Sequence, residues 1–106
     1  MPTFLIQASY TPEGLKGVER EGGTGRRAAT EKLVESLGGR VESFYFAFGA
    51  DDVIIIADLP DNRTAAAVGL AVNADGHIQS RTTVLISPEE LDAAAKTSVA
   101  FRAPGT

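Results

Sequence analysis

Two consecutive segments, Arg40 to Phe48 and Asp52 to Leu59, carry apolar side chains without clean alternation. The first holds Val41, Phe44, Tyr45, Phe46 and Phe48, and the second holds Val53-Ile54-Ile55-Ile56-Ala57. β-Branched and aromatic residues suit a pleated strand, and Gly49-Ala50-Asp51 makes a tight connection between the two, so the pair reads as a hairpin. A half-buried strand alternates, whereas strands that are apolar on both faces belong to a sheet covered on both sides. A chain of 106 residues buries roughly 65% of its unfolded surface and builds one core. Its helices can cover one face of the sheet, and nothing remains for the other. A second subunit is the economical cover, so a homodimer or larger homo-oligomer is expected.

The flanking segments supply the other elements. Thr3–Ser9 is a short apolar run and reads as a strand. Tyr10-Thr11-Pro12-Glu13-Gly14 is a turn signal, followed by a loose, glycine-bearing stretch to Gly25 with at most a helical turn within Pro12 to Val18. Thr24 is a credible N-cap for a helix to about Leu37, with Ala29, Leu33 and Leu37 on one face. Arg27 and Glu31 lie one turn apart, a pair worth ~0.2–0.5 kcal/mol. Gly38-Gly39 stops that helix. Pro60-Asp61-Asn62 caps a second helix from Arg63 to about Asn73, and Gly69 within it predicts a close approach to the sheet. After the turn Asn73–Gly76, His77 to Ile86 alternates as a strand. Ser87-Pro88-Glu89-Glu90 opens a short helix ending near Lys96.

The order is strand, helix, strand, strand, helix, strand. This is the α+β, ferredoxin-like βαββαβ plan with a four-stranded antiparallel sheet, plus a short C-terminal helix and an extended tail. Residues 1–96 form one domain on this reading and residues 97–106 the tail. The tail carries Val99 and Phe101 on alternate positions, a pattern that predicts packing against its own or a partner subunit.

Phe44-Tyr45-Phe46-Ala47-Phe48-Gly49-Ala50-Asp51-Asp52-Val53, followed by Asp58-Leu59-Pro60-Asp61, resembles the GYD domain family. Leu37-Gly38-Gly39 and Tyr10-Thr11-Pro12-Glu13-Gly14 are similar to it too, so the likeness spans about residues 3 to 95. The resemblance implies a small bacterial or archaeal protein of the dimeric α+β barrel group. Relatives in that wider group include cofactor-independent monooxygenases and isomerases of small aromatic or lactone compounds. The namesake motif is incomplete: Gly49 is present, Ala50 or Asp51 stands where the tyrosine belongs, and Asp51 or Asp52 supplies the aspartate. A hairpin reading of the motif gives glycine the turn and aspartate the local backbone hydrogen bonds.

Composition narrows the chemistry. A net charge of −4 argues against nucleic acid as partner, which needs a basic footprint. The absence of cysteine excludes disulfides, thiolate metal sites and cysteine nucleophiles. No apolar run approaches the ~20 residues of a membrane helix, and Met1-Pro2-Thr3 lacks the basic start of a signal peptide, so a cytoplasmic protein without membrane partner is expected. Gly22-Gly23-Thr24-Gly25-Arg26 lacks the lysine and spacing of a phosphate loop and reads as a flexible loop ending in a cap.

Asp51, Asp52 and His77 could suggest a metal site, but the inferred topology sets the hairpin turn and the start of the last strand at opposite ends of the sheet. No metal or cofactor is therefore expected. The same topology gathers Tyr10, Asp58, Arg26, Arg27 and His77 at one end, where small-molecule sites form. There His77 could serve as general base, with Tyr10 or Tyr45 as hydrogen-bond partner. Arg26 and Arg27 could hold an anion at a helix start, and Phe44, Phe46, Asp58 and Arg81 complete the candidate ligand-binding set. The plain alternative makes His77 a surface residue after a turn and the arginines the solvated end of a helix. Two functions stay open: a homo-oligomer that binds a small, partly apolar ligand or acts as an accessory protein, and a cofactor-independent enzyme on a small organic substrate.

Overall fold

In the computed structural model, which describes residues 1–106, strands β1 (Thr3–Tyr10), β2 (Arg40–Phe46), β3 (Val53–Asp58) and β4 (Ile78–Leu85) form one antiparallel sheet in the order β2-β3-β1-β4. Helices α1 (Pro12–Glu21), α2 (Gly23–Ser36) and α3 (Asn62–Asp75) connect or flank them, and α4 (Pro88–Ala95) follows β4. The architecture is the expected ferredoxin-like one. No helix is long and apolar enough to cross a membrane.

Residues 12–21 depart from the expected loose stretch. They form a ten-residue helix in which Pro12 stands in the first turn and the Thr11 side chain accepts from the Gly14 N–H. Gly14 and Gly17 lower its intrinsic helicity, and tertiary contact restores it. Thr11 donates through its N–H (2.9 Å) and hydroxyl (3.2 Å) to the His77 carbonyl. Thr24 is not a cap, because the left-handed Gly22 (φ 84°) both ends α1 and starts α2. Arg26 pairs with Glu21 at 3.7 Å, and no Arg27–Glu31 ion pair forms. The α2 C-terminus behaves as the sequence predicts: Gly39 and Gly38 N–H groups bond to Val34 and Glu35 carbonyls, with Gly38 at φ 84°.

The hairpin loop is longer than expected, running from Ala47 to Asp52 and closed by the Ala47 N–H on the Asp52 carbonyl at 2.8 Å. A register shift between Val41 and Ser43 bends β2.

Phe4, Ala8, Val34, Val53, Ile55, Ala57, Leu59 and Ala65 form the core between the sheet and its helices. The opposite sheet face presents Leu5 beside Ile56, Ile54 beside Gln7, and the 69%-exposed Tyr45 beside Ile54. The apolar stretch of β3 therefore reaches the second face, where Leu5, Ile54 and Ile56 lie among Gln7, Ser9, Arg81 and Thr83, with no element of the chain over it. Gly69 does not approach the sheet closely, since a Cβ there would meet no atom within 4 Å. The tail does not pack on its own subunit either. α4 buries no residue, and Val99 and Phe101 are 76% and 78% exposed.

Candidate functional site

The antiparallel register decides which residues share an end of the sheet. Tyr10 pairs with Ile78, Ala8 with Val53, and Thr3 with Asp58. The end of β1 therefore meets the start of β3, not its finish. Two expectations are corrected by that geometry. Asp58 lies at the far end, bonded to Thr3 (2.7 Å) and Arg40 (3.1 Å), and does not join Tyr10. The hairpin aspartates lie at the same end as His77, and the Asp52 carboxylate accepts from the Tyr10 N–H at 2.8 Å.

At this end α1, α2 and α3 surround a cleft of about 500 Å³ whose lining includes Tyr10, Glu21, Arg26, Val72, Asp75 and His77. Beneath it, between sheet and helices, runs an apolar slot of about 70 Å³ bounded by Ile6, Val34, Phe44, Ile55 and Val68. Tyr10, Arg26, Val72 and Ile78 line both spaces and form the throat between them. The slot exists because α3 presents small residues, Gly69 among them, where it faces the sheet.

Two pairs order the polar side chains of the cleft, Arg26 with Glu21 and His77 with Asp75. His77 Nδ1 lies 2.5 Å from Asp75 Oδ2, across the left-handed turn at Gly76 (φ 92°). A carboxylate there orients the imidazole. Burial holds the Tyr10 hydroxyl above the ordinary phenol range; Asp52 and Glu21 push the same way, while the Arg26 guanidinium opposes them. Tyr10 is thus a neutral hydrogen-bonding group at neutral pH. The cleft carries both signs of charge, with Arg20 and Arg26 against Glu13, Glu21 and Asp75. It suits a polar or zwitterionic head better than a strongly anionic one.

A family model described as GYD domain matches residues 4–95. The chain belongs to the GYD domain family. No curated protein and no solved structure matches it. In this GYD domain the carboxylates of the namesake hairpin bond to the rest of the sheet, while the loop itself is closed by backbone. Asp51 accepts from Gln7 (3.1 Å) and Arg81 (2.8 Å), and Asp52 takes the end of β1. Gly49 has ordinary negative backbone torsion, so the turn does not require it for a left-handed conformation.

Of the residues singled out from sequence, Tyr10, Arg26 and His77 meet in the cleft, and Phe44 lines the slot. Phe46 packs edge-on against Phe44 with ring centroids 5.3 Å apart, and lies over Gly23 at the start of α2. Tyr45 and Arg27 lie instead with Glu31 and Glu42 in a shallow outer groove, so Tyr45 cannot partner His77 within one chain. Arg81 is on the open sheet face, bound to Asp51. Sequence reasoning missed Asp75, Glu21, Val68 and Val72. The spacing Asp75-Gly76-His77 carried a signal for the first, since a left-handed glycine folds its two neighbours together. The others depend on helix placement.

Proposed function

We propose that this GYD domain is a homo-oligomeric protein that binds a small, partly apolar organic molecule. The throat formed by Tyr10, Arg26, Val72 and Ile78, open to a polar cleft on one side and an apolar slot on the other, carries this reading. A cavity of about 150 Å³ is needed to hold a benzene ring, so a slot of about 70 Å³ admits only the narrow apolar end of a ligand. The cleft above lies within the ~300–1,000 Å³ range of small-molecule sites and takes the polar remainder. Tyr10 would donate to that polar part, and the Arg26 guanidinium would direct it. The open sheet face, with Leu5, Ile54 and Ile56, would seat the second subunit.

Ligand-observed NMR with phenol, indole and γ-butyrolactone as probes tests the reading. At least one should bind to the unsubstituted protein, and Val72→Trp, which plugs the throat, should abolish its signal. The smaller Val72→Phe guards against misfolding and should weaken the same probe. Binding that survives both, in folded protein, would refute the site.

A second reading, a cofactor-independent enzyme, rests on one observation: the His77–Asp75 pair opens into the same cleft as Tyr10. His77 would then remove a proton from the bound molecule while Tyr10 steadies the charge that develops. His77→Ala separates the two, since it abolishes turnover of a bound probe and leaves binding intact only if the second reading holds.

A further inference from the structure

The last nineteen residues of the chain form an arm that nothing in the chain holds. The radius of gyration is 16.9 Å and the long dimension 57 Å, against 32 and 23 Å for the others, whereas a compact domain of this length has a radius near ~13 Å. α4 has eight residues and buries none of them, although isolated helices shorter than ~12–15 residues are marginal in water. Its sequence nonetheless specifies a helix through a complete capping box, with Ser87 Oγ accepting from the Glu90 N–H (3.1 Å) and Glu90 Oε1 from the Ser87 N–H (3.2 Å). Beyond it, Val99 and Phe101 stand at alternate positions of a segment whose single charge is Arg102. The Phe101 N–H bonds to the Val99 carbonyl at 3.0 Å, a one-residue turn that must open for the two side chains to share one side of a strand.

The same chain has an unfilled groove of about 800 Å³ between α3 and β4, with Phe4 on its floor and Ala66, Leu70 and Val84 on its walls. None of its lining residues is charged. The groove opens along β4, an edge strand paired only with β1. Asn73 Oδ1 takes the outward Ser80 N–H at 2.6 Å and blunts the first part of that edge. Thr82 and Val84 point their backbone groups the same way by the two-residue period of the ladder, and no hydrogen bond outside the sheet covers them.

We propose that residues 97–103 add as an extra strand to this edge of β4 in a second copy of the chain, seating Val99 and Phe101 in that copy's α3–β4 groove. A second copy is the occupant for two reasons. Arm and groove match in chemistry, both apolar and almost uncharged, and every chain has one of each, so two copies exchanging arms satisfy both under one two-fold axis. The arm also has the reach: α4 spans ~12 Å and residues 97–103 up to ~23 Å once extended, enough to run along most of an eight-residue strand of ~27 Å. This surface is separate from the open sheet face, so either interface can fail while the other stands.

The chain has no cysteine, which makes engineered cross-links unambiguous. Chains bearing Phe101→Cys are mixed with chains bearing Leu70→Cys and oxidised gently; Leu70 is 75% exposed, so neither change threatens the core. The expected product is a covalent pair of twice the 11.1 kDa chain mass, formed in the mixture and by neither variant alone. The double variant at high dilution tests the intramolecular route, and an intrachain disulfide at monomer mass would overturn the exchange. In the Ile54→Asp background, where the sheet-face contact is broken, deletion of 97–106 should raise the remaining dissociation constant at least roughly tenfold in dilution-series sedimentation. No cross-link in the mixture, or an unchanged dissociation constant on deletion, would equally overturn it.

Discussion

Two glycines one turn apart in α1 should respond to the same substitution with opposite sign. Replacing glycine by alanine inside a helix gains ~1 kcal/mol from backbone entropy. At Gly17 nothing opposes that gain, since the nearest atom to an added Cβ is the flexible tip of Arg20 at 3.9 Å. At Gly14, which is buried, the Cβ would run into the backbone carbonyl of His77 and would lie 3.3 Å from Tyr10 Cβ. A carbonyl held by Thr11 through two hydrogen bonds cannot step aside as a side chain can. Either α1 lifts, losing bonds worth ~1 kcal/mol each, or the strain stays, at ~1–3 kcal/mol for overpacking. Set against the ~1 kcal/mol helix gain, the net for Gly14→Ala is a loss of up to about 2 kcal/mol. For a domain of this size each ~1 kcal/mol moves the melting temperature by ~4–8 °C, so Gly14→Ala should melt lower by up to roughly 15 °C and Gly17→Ala a few degrees higher. Thermal melts at one protein concentration make the comparison. A stabilised Gly14→Ala would mean that α1 does not rest on the His77 carbonyl, and the cleft would lose its outer wall.

Neighbouring isoleucines on β3 should separate core from interface. Ile55 is 8% exposed in the core, so Ile55→Asp should unfold the chain through a buried unpaired charge; Ile54→Asp, on the open face, should leave it folded and raise the dimer dissociation constant at least roughly tenfold, ~1.4 kcal/mol. Unchanged association for Ile54→Asp would remove the sheet face from the assembly. The Tyr10 phenol titrates above its unfolded value, so its contribution to stability is fully present below about pH 10 and is lost as the pH rises through the folded pKa. With only two tyrosines in the chain, phenolate absorbance of Tyr45→Phe reads Tyr10 alone, and a midpoint at or below about 10 would contradict the burial argument.

The strands, the two longer helices and the C-terminal capping box were legible because their signals are local. Ser87, Pro88 and Glu90 specify a helix start wherever it lies, Gly38 stops α2 by left-handed geometry, and a run such as Val53–Ala57 suits a strand alone. α1 was not legible, since Gly14 and Gly17 argue against a helix locally and the contact that overrules them comes from His77, sixty-three positions from Gly14 along the chain. The candidate site divides the same way. Tyr10, Arg26, Phe44 and His77 could be picked out as chemistry-bearing residues near element ends, but Asp58, Arg27, Tyr45 and Arg81 were equally eligible on that ground. Choosing between these sets required strand direction and side-chain face. Antiparallel pairing of β1 with β3 sends Asp58 to the far end, and the two-residue period of β2 turns Tyr45 away from Phe44. By itself the sequence determined the four strands, the helices α2 to α4, and that β3 is apolar on both of its faces. Tertiary structure decided which end of each strand meets which, and where α2 and α3 stand off the sheet to leave a slot, because register and helix placement are set by packing across the whole chain.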